Sequence, residues 1–184
     1  MAVQQKKKKK WYSIYATGLF KDQKIGESLS NEAASLVGKK IALNLMELTN
    51  DPKKQNFRII FKVVKVENDK AAADLIGYEM LITNVKRIMR KGVEKIEESF
   101  IVQSKDNINV QLKPTLLTRR KIKRSIASAI RKKLQETLLE EAKKLEYNEL
   151  IQYIIFNKIQ KHVKDTMNKI YPLVAVEFRI VKKL

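Results

Sequence analysis

Cysteine is absent from this 184-residue chain, which removes disulfides, thiolate nucleophiles and cysteine-ligated zinc, and fits a reducing compartment. Histidine occurs once, as His162, so imidazole chemistry would rest on a single ring. Asp165 lies on the same expected helix face, but Ile159 and Val163 beside His162 favour a partly buried structural role. No group of carboxylates has metal-ligand spacing. Gly38-Lys39-Lys40 resembles the end of a phosphate-binding loop, yet Ala33 replaces its first glycine and Lys40 replaces its Ser or Thr. No apolar run approaches the roughly 18 residues of a membrane span. Trp11 to Phe20 follows a basic stretch as a secretory leader would. Tyr12, Ser13, Tyr15, Thr17 and Gly18 make it too polar for that role, and Lys21 follows at once. These absences point away from an enzyme, from a cofactor or metal protein, and from a membrane protein.

Negative charge is scarce too. Asp and Glu number 20 against 39 Lys and Arg, a formal net charge of +19 and a pI near 10.0. A fold with that excess repels itself unless a polyanion neutralises it, and nucleic-acid phosphates are the commonest such partner. Hydrophobic residues make up 44% of the chain, enough for a core, so a merely disordered basic tail is excluded. The length suits one domain with appendages, able to bury roughly 70% of its unfolded surface.

Three basic clusters carry the charge. Lys6, Lys7, Lys8, Lys9 and Lys10 lead into Trp11 and Tyr12. The lysines suit sequence-blind phosphate contacts. The rings either stack on unpaired bases or anchor the arm to the protein's own core. Residues 1–20 are expected to form a basic arm, mobile through Lys10 in the absence of RNA. The densest cluster lies between Asn107 and Gln135, where nine basic residues occur with no acidic one. Eight of them are Arg119, Arg120, Lys121, Lys123, Arg124, Arg131, Lys132 and Lys133. Read as one helix, they surround its axis, which suits a phosphate-lined cleft better than a protein core. Lys182 and Lys183, beside Arg179, form the third cluster.

Hydrophobic periodicity predicts an α+β fold. Strands are expected at Ile41–Met46, Phe57–Val64, Ala71–Ile82, Val93–Gln103 and Ile108–Lys113. Turns fall at Asn50-Asp51-Pro52 and at Glu67-Asn68-Asp69-Lys70, with Gly77 marking a bulge or bend. A short basic helix, Val85–Lys91, should be capped by Thr83 or Asn84 and closed by Gly92. Residues 21–117 thus read as a small β-barrel or a curled, mostly antiparallel sheet. Residues 118–184 add two longer helices and a closing strand, packed with the barrel region as one structural unit. The first helix starts at Thr118 and carries Ile122, Ile126, Ile130, Leu134 and Leu138. The second, capped by Asn148, carries Ile151, Ile155, Ile159, Val163 and Met167 and stops at Pro172. Val174 to Ile180 then alternates as a strand joining the earlier sheet.

Several stretches, taken in order, resemble the archaeal and eukaryotic small-subunit ribosomal protein family S3Ae. They are Lys9-Lys10-Trp11-Tyr12 with Ile14 and Ala16, then Phe20, Ile25-Gly26-Glu27 and Val37-Gly38-Lys39. Leu48-Thr49-Asn50-Asp51, Gly77-Tyr78-Glu79-Met80 with Thr83, the Thr118–Lys133 basic stretch and Ile170-Tyr171-Pro172-Leu173 continue the match over nearly the whole chain. Thr17 departs from the family's usual proline, and many members continue past the position of Leu184. The resemblance implies a β-barrel with flanking helices, no cofactor and no enzymatic role. It also implies a structural place on the platform of the small ribosomal subunit, near the messenger RNA exit, in a cytoplasmic ribosome of archaeal type. Small-subunit ribosomal RNA and neighbouring ribosomal proteins of the platform are the partners implied, with messenger RNA and initiation factors close by. A general nucleic-acid-binding protein of the RNA-chaperone or nucleoid kind is the alternative from the charge alone.

Overall fold

The computed structural model describes residues 9–20 and 23–184; Lys6, Lys7 and Lys8 of the lysine run lie outside the described residues. The strands are β1 (Lys10–Ala16), β2 (Lys24–Ser30), β3 (Lys40–Asn44), β4 (Phe57–Glu67), β5 (Lys70–Met80), β6 (Lys95–Glu97), β7 (Phe100–Gln103), β8 (Asn109–Thr118) and β9 (Leu173–Lys183). The helices are α1 (Leu45–Thr49), α2 (Ile82–Ile88), α3 (Arg124–Lys144), α4 (Tyr147–Ile155) and α5 (Lys158–Asn168). Pairing runs β2-β1-β5-β9-β8-β6, with β4 also on β5, β3 on β4 and β7 on β8. The sheet is mixed and mostly antiparallel, and β1 runs parallel to β5. Among the described residues no pairing joins β2 to β6, so of the two forms expected the open sheet is the one found, not a closed barrel.

The chain divides into two compact units, one holding residues up to Gln55 with Ile59–Ile76, the other Asn56–Arg58 with Gly77–Leu184. In the first, alternating side chains put Ile59, Phe61 and Val63 of β4 with Tyr12, Ile14, Ala71 and Ala73 in a buried layer, as period-2 patterning requires. The β4–β5 hairpin turns at Asn68 and Asp69, both at positive φ, the conformation a two-residue hairpin needs and Asn and Asp tolerate. In the second unit, β9 lies between β8 and the end of β5. Ile130, Leu134 and Leu138 of α3, with Ile151, Ile155, Ile159, Val163 and Met167 of α4 and α5, are all buried.

Several boundaries differ from the sequence expectation, each for a local reason. Leu45 leaves its strand because the Asn44 side chain accepts a hydrogen bond from Met46 N and starts α1. The expected strand Val93–Gln103 is two pieces, β6 and β7, separated at Glu98 and Ser99. Pro114 does not end β8; it sits at a register shift opposite Phe178, an irregularity where a residue without an N–H is tolerated. The strand therefore runs on to Thr118. The short basic helix begins at Ile82 rather than Val85, with no side-chain cap. The last long helix is two helices, broken at Asn157 in the left-handed conformation, with Gln160 Nε2 donating to the Ile154 carbonyl at 2.8 Å. Its start is capped by a Glu146–Glu149 box instead of Asn148. His162 is not buried: its side chain is 57% exposed, 3.8 Å from Glu141 Oε1, because Ile159, Val163 and Met167 occupy the inward line of α5.

Candidate nucleic-acid interface

Arg119, Arg120, Lys121 and Lys123 do not lie on a helix. They form an extended loop between β8 and α3, and the hydrogen bonds at its ends explain why. Thr118 is fully buried, so its hydroxyl cannot cap a solvent-facing helix. It donates to the Arg120 carbonyl at 2.6 Å, while Thr118 N donates to the Glu94 carbonyl at 3.0 Å. The Glu94 carboxylate accepts from Ile122 N at 2.9 Å. Arg119 N donates to the Pro172 carbonyl at 3.3 Å. Backbone groups that a helix would use are thus committed to Glu94, just before β6, and to Pro172, just before β9, and α3 starts only at Arg124. The idea of one helix with cations on every side is corrected accordingly: the cluster is a loop feeding a helix.

Arg119, Arg120, Lys121, Lys123 and Arg124 are all exposed, and none forms an ion pair among the described residues. Lys123 is the N-cap of α3, without a side-chain cap bond, and the first turn of this 21-residue helix holds no acidic residue. Free N–H groups and the positive end of the helix dipole therefore point into a group of cations. That combination disfavours itself unless an anion sits there, and it suits a phosphate.

Farther along α3, the expected cluster is divided by its own partners. Arg131 Nε meets Glu98 Oε1 at 2.7 Å and Lys133 Nζ meets Glu136 Oε2 at 3.3 Å; Lys132 is exposed and has no such partner among the described residues. Both pairs are half-exposed, hold little energy, and are exchangeable for a phosphate. Beside them, Glu97 is drawn in opposite directions. Burial pushes its carboxyl up, but Lys95 by hydrogen bond and charge, with Arg179, leaves it below the usual range. Lys182 and Lys183 are exposed at the end of β9, with Lys183 Nζ 5.6 Å from the centre of the Tyr147 ring.

In the first unit, Lys9 and Lys10 are exposed, and the two rings that follow them part company. Tyr12 is buried, whereas Trp11 is 64% exposed opposite Leu29 on β2. Strand alternation does this: β1 turns Tyr12 and Ile14 inward and Trp11 outward. Tyr12 is an anchor to the core, which corrects its place among the binding residues, and Trp11 retains a face for stacking. Sequence reasoning missed Glu94 and Thr118 as the residues that shape the basic loop. The available signal was Glu94 as the sole acidic residue between Met80 and Ile96.

No group of three or more His, Asp and Glu among the described residues could hold a metal ion. The family model described as the Ribosomal S3Ae family matches residues 1–184. The chain belongs to the Ribosomal S3Ae family. Among curated relatives of this S3Ae chain is the small ribosomal subunit protein eS1 of Nanoarchaeum equitans, 32% identical over 90% of this chain and 84% of the relative. The protein of the same name from Methanothermobacter thermautotrophicus is 30% identical over 93% of this chain and 88% of its own length. That of Saccharolobus islandicus is 29% identical over 97% and 86%. The archaeal sources of these relatives agree with the archaeal type expected from the S3Ae resemblance.

Proposed function

We propose that this S3Ae chain is a structural constituent of the small ribosomal subunit, held by ribosomal RNA that docks on Arg119, Arg120, Lys121, Lys123 and Arg124. The observation that carries the reading is this set of exposed, unpaired cations at the uncapped N-terminus of α3. Family membership supports the ribosomal setting. The platform near the messenger RNA exit is the location, and cytoplasmic ribosomes are the compartment. Neighbouring ribosomal proteins complete the surroundings, with messenger RNA and initiation factors within reach of the same region. The role is architectural rather than enzymatic. Arg131 and Lys132, with Trp11 and the lysines at 9, 10, 182 and 183, supply additional contacts.

Replacing Arg119, Arg120, Lys123 and Arg124 together with alanine tests the reading. Each lost phosphate contact lowers the salt slope by somewhat under one unit, so the slope of log affinity against log salt should flatten by roughly three units. The four side chains are exposed and the loop is held by backbone groups and Glu94, so circular dichroism should barely change. An unchanged slope at equal helicity would mean a solvated basic face. Equal affinity of the wild type for duplex DNA and small-subunit RNA would favour the chaperone or nucleoid alternative.

A further inference from the structure

A second cation-only segment lies between Met80 and Gly92, where Lys86, Arg87, Arg90 and Lys91 occur with no acidic residue. All four are exposed, and none forms an ion pair among the described residues. The segment is α2 and the turn that follows it. α2 buries none of its residues, and Ile82 at its start is 68% exposed. By its own packing this element has little reason to hold its position. It is held from both ends: at its start, Leu81 N donates to the Asn56 carbonyl at 2.9 Å. Val93 N donates to the Arg90 carbonyl at 3.3 Å, and Gly92 takes φ +87°, a conformation that side-chain-bearing residues adopt rarely. The chain is thereby turned back into β6.

Glu94, the next residue, fixes where this turn sits. Its N–H donates to Thr118 Oγ1 at 3.2 Å, its carbonyl accepts from Thr118 N, and its carboxylate accepts from Ile122 N. Lys95 then pairs with Leu117. The Arg90–Lys91 turn and the Arg119–Lys123 loop therefore leave the same end of the β6–β8 ladder. Lys91 is three residues from Glu94 and Lys121 three residues from Thr118, each a reach of at most about 10 Å, across strands about 4.8 Å apart. Glu94 is the sole acidic residue between Met80 and Ile96, and its carboxylate is spent on a backbone N–H. Two groups of like charge leaving one end of a ladder repel each other to the extent that they approach, and a polyanion lying across both relieves that repulsion.

We propose that Lys86, Arg87, Arg90 and Lys91 are the second half of the RNA-binding surface and grip the phosphates of the same RNA segment as the Arg119–Arg124 loop. RNA is favoured over an acidic protein because both segments offer exposed point charges and guanidinium forks, suited to phosphate. This rests on the RNA-binding function proposed above, and one experiment separates the two. The full-length protein, free and bound to small-subunit ribosomal RNA, is treated with an amine-acylating reagent, and lysine labelling is read by mass spectrometry. Lys86, Lys91, Lys121 and Lys123 should all lose reactivity severalfold in the complex, while Lys161 on the exposed face of α5 keeps it. Protection of Lys121 and Lys123 with Lys86 and Lys91 still reactive would overturn the second half and leave the RNA reading standing. Protection of none would overturn both. In the alanine quadruple at 86, 87, 90 and 91, the salt slope should flatten by roughly three units relative to wild type. A slope unchanged from wild type would count against the proposal.

Discussion

Glu94 shows how a single residue can oppose the general trend of the molecule. It adds negative charge to the most basic region, yet its carboxylate holds the Ile122 N–H and so shapes the loop that presents Arg119 to Lys123. Charge alone predicts that Glu94→Ala tightens RNA binding. Loop positioning predicts the reverse: Glu94→Ala weakens binding severalfold, and Glu94→Gln, whose amide oxygen still accepts from Ile122 N, restores it. Comparing both variants by filter binding at one salt concentration decides between charge and position. A tighter complex for the alanine variant would contradict the positioning role.

Glu177 makes a different residue-scale prediction. It lies in β9 opposite Thr115, its Oε2 is buried without a hydrogen-bond partner, and burial pushes its carboxyl up to about 7. Nearby, burial first and the charge of Glu177 second raise the Tyr78 hydroxyl well above its ordinary value. The unfolded chain releases the Glu177 proton near 4.5, so the folded state loses relative stability as pH rises from there to about 7. Glu177→Gln should therefore match the wild type below pH 4.5 and exceed it above pH 7, by an amount on the order of 3 kcal/mol. Urea melts of both proteins at pH 4 and pH 8 check this. Equal midpoints at pH 8 would show that the carboxylate is not held unfavourably.

At the scale of elements, the buried faces were more legible than the boundaries. The every-fourth-residue apolar stripe identified α3, because burial follows helical period whatever the caps do. In the same way β4 and its hairpin to β5 could be read from alternation and from Asn68-Asp69. The start of α3 could not. A Thr before a basic, periodic stretch reads as an N-cap, and only the distant Glu94 shows that Thr118 belongs to a strand end. Local propensity was overridden there by pairing across 24 residues of chain. Asn157 was hidden for a related reason: the stripe Ile151, Ile155, Ile159 continues in period across the break, so only the left-handed backbone reveals it. Of the basic clusters, composition located all three. It did not distinguish the loop cations from Arg131 and Lys133, whose carboxylate partners are remote in sequence or close only through helical spacing. The same contrast gives a stability test. Leu134, fully buried in α3, should cost about 2–5 kcal/mol when cut to alanine, measured by denaturant melts. The exposed loop quadruple should move the same midpoint little, and a comparable loss would mean its side-chain stems pack on the protein.

For the whole molecule, the charge and the family agree on one kind of partner. A net charge of +19 would be a burden on an isolated fold, and the S3Ae chain places two groups of exposed cations, at 86–91 and 119–124, at one end of the β6–β8 ladder. On the proposed function, assembly with ribosomal RNA relieves that repulsion and the basic loop is where the RNA docks. Sucrose-gradient sedimentation of cell lysate at moderate salt, tracking the wild-type chain and the Arg119, Arg120, Lys123 and Arg124 alanine quadruple, tests this most directly. The account predicts wild type in the small-subunit fractions and the quadruple displaced towards the top of the gradient as salt is raised. Wild-type protein found mainly in the soluble top fractions would contradict it.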